Sequence, residues 1–207
     1  MSRVPDPGAT LREEDVEDDP LRQFAAWFHD AEHGGVAAPE AAALATAATD
    51  GAPSARMVLV KGFDERGFVF YSNYCSRKGR ELAANPRAAL LFHWERLGRQ
   101  VRIEGRVQRL SASESAAYVR TRARGSQLSA LASPQSETIE SREALVRRVS
   151  ELDHRVGDGE PSLPDSWGGY LLTPDTFEYW QQRRDRLHDR LRYRRVGERW
   201  VIDRLAP

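Results

Sequence analysis

The stretch RMVLVKGFDERGFVFYSNYCSRK, at residues 56–78, predicts a strand, a tight turn, a returning strand and the start of a helix. Residues 57–60 are an apolar run of β-forming side chains, and two glycines bracket a polar turn after it. Residues 68–71 form the returning strand. Ser76 then stands where a helix N-cap belongs, and an Asn-Pro pair ends that helix. The rest of the chain is organised around this hairpin and helix.

Cationic side chains gather at the start of the predicted helix. Arg77 and Lys78 fall in its first turn, where the helix dipole favours anionic groups. A phosphate held by the backbone N–H groups, by Ser76 and by these two cations would compensate for their cost. Arg56 and Lys61, at the two ends of the first strand, would extend the same basic pocket. Solvated surface charge is the alternative interpretation.

Lysine usage points to the same stretch. Lys61 and Lys78 are the only lysines in the chain, and every other basic side chain apart from histidine is arginine. A compact ammonium and a planar guanidinium are not interchangeable at a binding site. The two lysines are therefore a compositional indication of a site in this region.

Composition predicts a single-domain protein of the cytoplasm. The chain has 207 residues, with 31 Lys and Arg against 31 Asp and Glu, so its formal net charge is zero. This balance argues against general nucleic-acid or membrane-surface binding. No apolar run is long enough to span a bilayer, and the first residues lack the apolar region of a signal peptide. Cys75 is the only cysteine, which excludes an internal disulfide and suits a reducing compartment.

Capping and periodicity predict the elements of the first half. Residues 1–18 are expected to form a flexible or loosely docked arm, and residues 19–207 a single domain that opens with a helix. Residues 41–49 fit either a strand or a short helix followed by a strand. Residues 100–110 alternate as a strand that Gly105 interrupts, which indicates a bulge or a close backbone approach.

Capping and periodicity also predict the elements of the second half of the chain. A capping box at Ser111 and Glu114 opens a helix expected to present Tyr118 and Arg122 on one face. A long amphipathic helix is expected from Glu137. Strands are expected at residues 170–172, 177–181, 187–193 and 200–205. Many strands with few helices between them predict a closed antiparallel barrel with peripheral helices.

Common nucleotide-binding, hydrolase and metal signatures are missing from the sequence. It contains no GxGxxG after a strand, no Walker A motif and no GxSxG. His29 and His33 lie four apart on the first helix, but no third ligand is evident, so no metal site is expected.

The order of several short motifs resembles the pyridoxine/pyridoxamine 5′-phosphate oxidase family from residue 19 to residue 207. The motifs are RMVLVK at 56–61, FYSN at 70–73, SRK at 76–78, RQVRIEG at 99–105, PQS at 134–136, WGG at 167–169, EYWQ at 178–181, RLHDR at 186–190 and the terminal IDRLAP. Each is weak alone, but their order and spacing together are specific. The resemblance implies a mainly β protein of the α+β type, the FMN-binding split barrel, working as a homodimer with FMN between the subunits.

The resemblance also implies a set of flavin-binding residues, some contributed by the other subunit. They are Arg56, Met57, Val58, Leu59, Val60, Lys61, Tyr71, Ser72, Arg77, Lys78, Gln100, Gln135, Ser136, Trp180 and Arg190. On this interpretation the anion pocket inferred from charge binds the FMN phosphate.

A second set implied by the resemblance binds the phosphate of the substrate: Lys61, Tyr118, Arg122 and Ser126. Two cations, a phenol and a hydroxyl suit a phosphate dianion. The catalytic pair, Arg186 and His188, would lie over the pyridine ring of the substrate. Because residues two apart on a strand face the same side, Arg186, His188 and Arg190 are expected to point into one cleft. A solvated strand or an RNA-binding stripe is the alternative, which the zero net charge weakens.

The implied reaction is oxidation of pyridoxamine or pyridoxine 5′-phosphate to pyridoxal 5′-phosphate. Molecular oxygen is the acceptor, hydrogen peroxide is released, and the amine substrate also yields ammonia. FMN carries the redox chemistry, and the protein supplies position and charge.

The chain departs from the family at its substrate lid. Residues 1–18 lack the Arg-Glu-Tyr-type motif common in the family, and Ala38 and Leu131 replace a usual acidic residue and a usual Trp. The segment around Leu131 also resembles flavin oxidases of phenazine biosynthesis, which act on a reduced tricyclic acid but generally lack the counterpart of Lys61. Such an oxidase is the alternative enzyme, and a non-catalytic flavin- or pyridoxal phosphate-binding carrier is the alternative outside catalysis.

Overall fold

The structure, a computed structural model, describes residues 10–162 and 164–207. Within these ranges the strands are β1 Ala41–Ala47, β2 Pro53–Asp64, β3 Gly67–Asn73, β4 Arg87–Trp94, β5 Arg99–Arg109, β6 Trp167–Gln181, β7 Asp189–Val196 and β8 Arg199–Arg204. The α-helices are α1 Pro20–His33, α2 Arg77–Ala84, α3 Ala112–Arg120, α4 Arg124–Ala132 and α5 Arg142–Val156. None of these helices is long and apolar enough to cross a bilayer.

Six strands close into an antiparallel barrel. They follow the order β3-β2-β1-β4-β5-β6, and β6 pairs with β3 to complete the ring. The length of β6 allows this, because its residues 167–172 pair with β3 and its residues 176–181 pair with β7. β7 and β8 therefore continue the sheet beyond the ring. The predicted mainly β barrel with peripheral helices is confirmed.

One long strand replaces the two short strands predicted at residues 170–172 and 177–181. β6 is continuous because β5 pairs with it along residues 170–181, through a register shift between Glu104 and Gly105. A Cβ atom at Gly105 would lie 2.0 Å from the carbonyl oxygen of Thr173, so a side chain has no room there. The bulge and close approach predicted at Gly105 are confirmed.

Aromatic rings fill the barrel core, and α1 contributes the central one. Asp19 caps this helix by accepting a hydrogen bond from the Leu21 N–H at 2.8 Å, as its position before a proline predicts. Phe24 is fully buried, and its ring centroid lies 4.9, 4.8 and 5.0 Å from those of Phe63, Phe68 and Phe92. The amphipathic face of α1 therefore packs against the barrel through this ring.

Two predicted elements take a more definite form in the structure. Residues 41–49, open between strand and helix, supply the strand β1. The helix expected from Glu137 begins at Arg142, because Ser141 accepts a backbone N–H of the first turn at 3.1 Å and caps it there.

The described part of the N-terminal arm, residues 10–18, packs against the C-terminal strands. Leu11 is buried, and its N–H donates to a carboxylate oxygen of Asp189 at 3.2 Å. Arg204 pairs with Glu13 at 2.7 Å and with Asp189 at 2.9 Å. These contacts hold this part of the arm in place. Residues 1–9, the remainder of the predicted flexible arm, lie outside the described residues.

Candidate active site

A cavity of about 600 Å³ lies where β2 and β3 meet the helices α2 to α5. Eleven residues of the two predicted sets line it: Met57, Val58, Leu59, Lys61, Tyr71, Ser72, Lys78, Tyr118, Arg122, Ser126 and Gln135. The structure thus brings the hairpin at residues 56–78 together with side chains from the second half of the chain.

Lys78 is the buried cation of this cavity. The residue is 9% exposed, and its ammonium group donates to Ser72 Oγ at 3.1 Å and to Gln135 Oε1 at 2.8 Å. No carboxylate among the described residues forms an ion pair with it. Burial, together with the nearby positive charge of Arg56, lowers the pKa of Lys78 from 10.5 to about 8, although Glu81 opposes this shift. A buried ammonium with neutral partners suits an anionic ligand.

The local sequence fixes where Lys78 points. Ser76 caps α2 by accepting the Gly79 N–H at 3.3 Å, and its own hydroxyl donates to the Asn73 carbonyl at 2.6 Å. A Cβ at Gly79 would lie 2.2 Å from the carbonyl oxygen of Tyr74, so the first turn of α2 packs directly on the preceding loop. The predicted N-cap is confirmed, and it aims the first turn of α2 at the cavity.

Arg56 and Arg77 are predicted flavin ligands that do not line the cavity. Both form ion pairs with the buried carboxylate of Glu81, at 3.2 Å and 2.9 Å. Arg77 is 60% exposed, whereas Arg56 also donates to Thr46 and Ser54 at 2.5 Å. The basic pocket inferred from charge therefore contains an acidic residue that charge counting did not identify.

Three aromatic side chains, Tyr71, Tyr118 and Trp167, form part of the cavity wall. The rings of Tyr71 and Tyr118 stack with centroids 3.6 Å apart, and burial raises the pKa of both phenols. Trp167 lies parallel to both rings, and the guanidinium of Arg122 sits 5.4 Å from its centroid. Arg122 follows the end of α3 at Arg120, so the prediction that it shares a helix face with Tyr118 is wrong. The turn after α3 brings both side chains to the cavity instead.

Lys61 and Ser126 complete the predicted substrate-phosphate set at the cavity. The Lys61 ammonium lies 3.9 Å from a carboxylate oxygen of Glu40, at the outer limit of an ion pair. Ser126 is in the first turn of α4. Lys61, Tyr118, Arg122 and Ser126 therefore share one cavity, as the resemblance implies.

Sequence reasoning missed several lining residues. Trp167 begins the WGG motif of the family resemblance, but no charge or spacing pattern marks it as a site residue, and it forms part of the cavity wall. The amphipathic helix expected from Glu137 is α5, and its residues Leu145 and Val149 also line the cavity. Helical periodicity identified the apolar face of α5 but not the surface against which it lies.

A second group of predicted residues lies apart from the cavity lining. Gln100 on β5 is paired with Trp180 on β6, which is paired with Arg190 on β7. The rings of Trp180 and His188 are 4.5 Å apart, and Arg190 donates to Glu178 at 2.8 Å. We call Gln100, Trp180, His188 and Arg190 the β5–β7 cluster. Of the other predicted ligands, Val60 is in the core, and Ser136 follows Gln135 with a φ of 76°.

The predicted catalytic pair, Arg186 and His188, does not lie on a strand. β7 begins at Asp189, and Arg186 belongs to a short 3-10 turn in which Asp185 and Arg186 have φ of 56° and 61°. His188 follows that turn, and its Nδ1 accepts the Arg183 N–H at 3.1 Å. The prediction that strand alternation puts Arg186, His188 and Arg190 on one side is wrong, because two non-glycine residues are left-handed there.

Comparison with known proteins identifies the family of the chain. The family model "Pyridoxamine 5′-phosphate oxidase" matches residues 28–155, and the model "Pyridoxine 5′-phosphate oxidase C-terminal dimerisation region" matches residues 167–207. The pyridoxine/pyridoxamine 5′-phosphate oxidase of Rubrobacter xylanophilus is 56% identical over 199 residues, covering 96% of this chain and 92% of that protein. The protein of the same name from Salinibacter ruber is 53% identical over 203 residues, covering 96% and 94%.

Solved structures share the fold. The crystal structure of PhzG from Burkholderia lata 383 in complex with tetrahydrophenazine-1-carboxylic acid has a TM-score of 0.91 and 34% identity, covering 98% of this chain and 100% of that one. An FMN-binding protein from Nostoc punctiforme, described as related to pyridoxamine 5′-phosphate oxidase, has a TM-score of 0.71 and 18% identity, covering 91% and 98%. Matches of this length and identity show that the chain belongs to the pyridoxamine 5′-phosphate oxidase family.

Proposed function

We propose that the protein is an FMN-dependent oxidase that converts pyridoxamine or pyridoxine 5′-phosphate to pyridoxal 5′-phosphate. The alcohol and O2 give the aldehyde and H2O2; the amine, O2 and water give the aldehyde, ammonia and H2O2. The family and the relatives named for this reaction support the assignment.

The observation that carries the proposal is the burial of Lys78, whose ammonium group has neutral hydrogen-bond partners and no ion pair with a carboxylate among the described residues. Its ammonium, the capped start of α2 and the side chains of Ser72 and Gln135 form a donor-rich pocket that fits the phosphate of FMN. Residues 57–59 and Tyr71 line the same cavity and would hold the rest of the flavin. FMN, when bound, supplies the acceptor for two electrons and passes them to O2.

The substrate end of the cavity has the charge needed for a second phosphate. Lys61 and Arg122 are cationic, Tyr118 and Ser126 offer hydroxyl groups, and all four side chains line the cavity. A phosphate dianion there would accept charge-assisted hydrogen bonds from the two cations and orient the pyridine ring towards the flavin. The residues of the chain thus bind and orient the substrate by its phosphate.

We further propose that the β5–β7 cluster and Arg186 complete the site of a second copy of the chain in a homodimer. The residues of the cluster lie outside the cavity in their own subunit, and the dimerisation region matches residues 167–207. Met57 and Leu59, at the cavity wall, are 64% and 47% exposed, which suits an apolar surface covered by a second subunit. Arg186 and His188 would then face the substrate ring and assist proton loss from it.

The alternative enzyme is an oxidase of reduced phenazine precursors, and the similarity to the PhzG structure favours it. Lys61 at the cavity favours a phosphorylated substrate instead, because a tricyclic carboxylic acid carries no phosphate for the second set to bind. The two activities differ in substrate, so one experiment separates them.

Oxygen uptake by the FMN-loaded protein tests the proposal. With pyridoxamine 5′-phosphate, we expect H2O2 and pyridoxal 5′-phosphate to form in equal amounts. A flavin-bound protein that leaves this substrate untouched but oxidises a reduced phenazine carboxylic acid would assign the alternative. Flavin binding without oxygen use on either substrate would make the protein a carrier.

A further inference from the structure

Glu81 is the acidic residue at the centre of the basic pocket. It lies on the inner face of α2 and is 7% exposed. One carboxylate oxygen accepts hydrogen bonds from Thr46 Oγ1 at 2.5 Å, Ser54 Oγ at 2.6 Å and Arg56 at 3.2 Å. The other oxygen accepts the Nε–H of Arg77 at 2.9 Å. The carboxylate therefore joins β1, β2 and α2 at one point.

The way in which Glu81 holds Arg77 leaves that guanidinium available to a ligand. Glu81 accepts a hydrogen bond from the Nε–H of Arg77. No described residue accepts a hydrogen bond from the two terminal nitrogens of Arg77. Because Arg77 is 60% exposed, a side chain without this ion pair would sample many rotamers. The ion pair with Glu81 limits that freedom and directs the terminal nitrogens away from the carboxylate.

The charges around Glu81 match a phosphate monoester. Arg56, Arg77 and Lys78 carry three positive charges and Glu81 carries one negative charge, so the net charge of the four side chains is +2. A phosphate monoester carries about −1.5 to −2 at neutral pH. Burial would raise the pKa of Glu81, but hydrogen bonds from Ser54, Thr46 and the two arginines lower it to about 2, so the carboxylate is ionised at neutral pH.

We propose that Glu81 is a positioning residue for the phosphate end of the flavin site. Its role is not to contact the flavin; it orients Arg77, holds the Arg56 side chain beside Thr46 and Ser54, and balances the charge beside Lys78. This inference rests on the proposed function, because it assigns the anion to the phosphate of FMN.

Comparing FMN with riboflavin separates positioning from a purely structural role. Riboflavin has the same ring system without the phosphate, so a loosened fold weakens both flavins, whereas a misplaced Arg77 weakens FMN alone. The test uses the full chain with Glu81→Gln, and measures the Kd of each flavin from fluorescence quenching. We expect FMN to bind at least tenfold more weakly and riboflavin to change less than twofold. Equal weakening of both flavins, or no change in either, would overturn the proposal.

Asp203→Asn is a matched control. Asp203 also accepts hydrogen bonds from two arginines, Arg192 and Arg194, at 2.9 and 2.8 Å, and neither belongs to the predicted flavin set. We expect it to leave the FMN-to-riboflavin affinity ratio unchanged. An equal fall of that ratio in Asp203→Asn would show that any lost arginine–carboxylate pair has this effect and would overturn the specific role of Glu81.

Arg77→Lys provides a second variant. Because the Arg77 side chain is exposed, this substitution is expected to leave the fold intact. Lysine keeps the charge but has no Nε–H for Glu81 to orient. We expect it to lower the FMN-to-riboflavin ratio, and the double variant with Glu81→Gln to bind FMN no more weakly than Glu81→Gln alone. Additive losses would overturn the proposal. A wild-type chain with no preference for FMN over riboflavin would instead contradict the proposed function, before any variant is compared.

Discussion

Lys78 is the residue on which the proposed flavin site depends most, because its ammonium group is buried between two neutral side chains. Burial and the charge of Arg56 lower its pKa to about 8, below that of a free lysine. Only the protonated form attracts a phosphate, so binding is strongest below this pKa and weakens as the pH rises through it. We expect the Kd for FMN to rise about tenfold between pH 7 and pH 9. Fluorescence titration at both pH values measures this.

Riboflavin and Lys78→Met are the controls for this pH dependence. Riboflavin lacks the phosphate, and its Kd is expected to stay level. Lys78→Met is expected to bind FMN weakly at both pH values, because the titrating group is gone. The same pH slope in Lys78→Met would assign the dependence to another group.

Arg122 tests the substrate end of the cavity independently of the flavin end. Arg122→Met removes one cation from the proposed substrate-phosphate site, and the loss of a hydrogen bond to a charged group costs about 1.5–3 kcal/mol. We expect KM for pyridoxamine 5′-phosphate to rise about tenfold or more, with the Kd for FMN within twofold of wild type. Steady-state oxygen uptake measures KM. Arg120→Met, an exposed arginine on α3, is the matched control, and an equal KM increase there would contradict the assignment.

At the scale of elements, local signals in the sequence predicted most of the barrel. The caps at Ser76 and Ser111 and the bulge at Gly105 are each determined by a few neighbouring residues, and all three are confirmed. The turn before β7 was predicted wrongly, because Asp185 and Arg186 are left-handed without a glycine to signal it. Glu81 was missed for a different reason: its partners Thr46 and Ser54 are 35 and 27 residues away and meet it only after folding.

The bulge at Gly105 allows a prediction about the β5–β6 pairing. A methyl group at this position would meet the Thr173 carbonyl at 2.0 Å, and backbone cannot move away as a side chain can. We expect Gly105→Ala to lower the free energy of unfolding by about 2 kcal/mol or more. Urea denaturation followed by tryptophan fluorescence measures it.

Gly62→Ala is the control for the bulge, because a Cβ there has no atom within 4 Å. Its free energy of unfolding is expected to stay within about 0.5 kcal/mol of wild type. If both alanine variants lose the same stability, the close contact at Gly105 is not the cause.

At the scale of the whole molecule, the predicted site is divided between two regions of one chain. Lys78 and Arg122 line the cavity, whereas Trp180 and Arg190 lie on β6 and β7 outside its lining. The sequence motifs predict the residues of both groups but not that the two groups lie apart within one chain. The order of motifs along a chain does not say which subunit supplies each residue to a site. A homodimer with shared sites would reunite the two groups.

Subunit complementation tests this sharing directly. A heterodimer of one Arg122→Met chain and one Arg186→Met chain would contain one site with both substitutions and one with neither, if each site takes Arg122 and Arg186 from different chains. The heterodimer is co-expressed, isolated through two different affinity tags and assayed at a substrate concentration below the wild-type KM, where the raised KM of Arg122→Met lowers the rate. We expect it to have about half the wild-type oxidase activity, while both variant homodimers have little. If each site takes both residues from one chain, both sites of the heterodimer carry one substitution, and its activity would not exceed that of the variant homodimers. Because Arg186 is exposed on the 3-10 turn before β7, its replacement leaves the barrel core intact, and a loss of activity reflects the site rather than the fold.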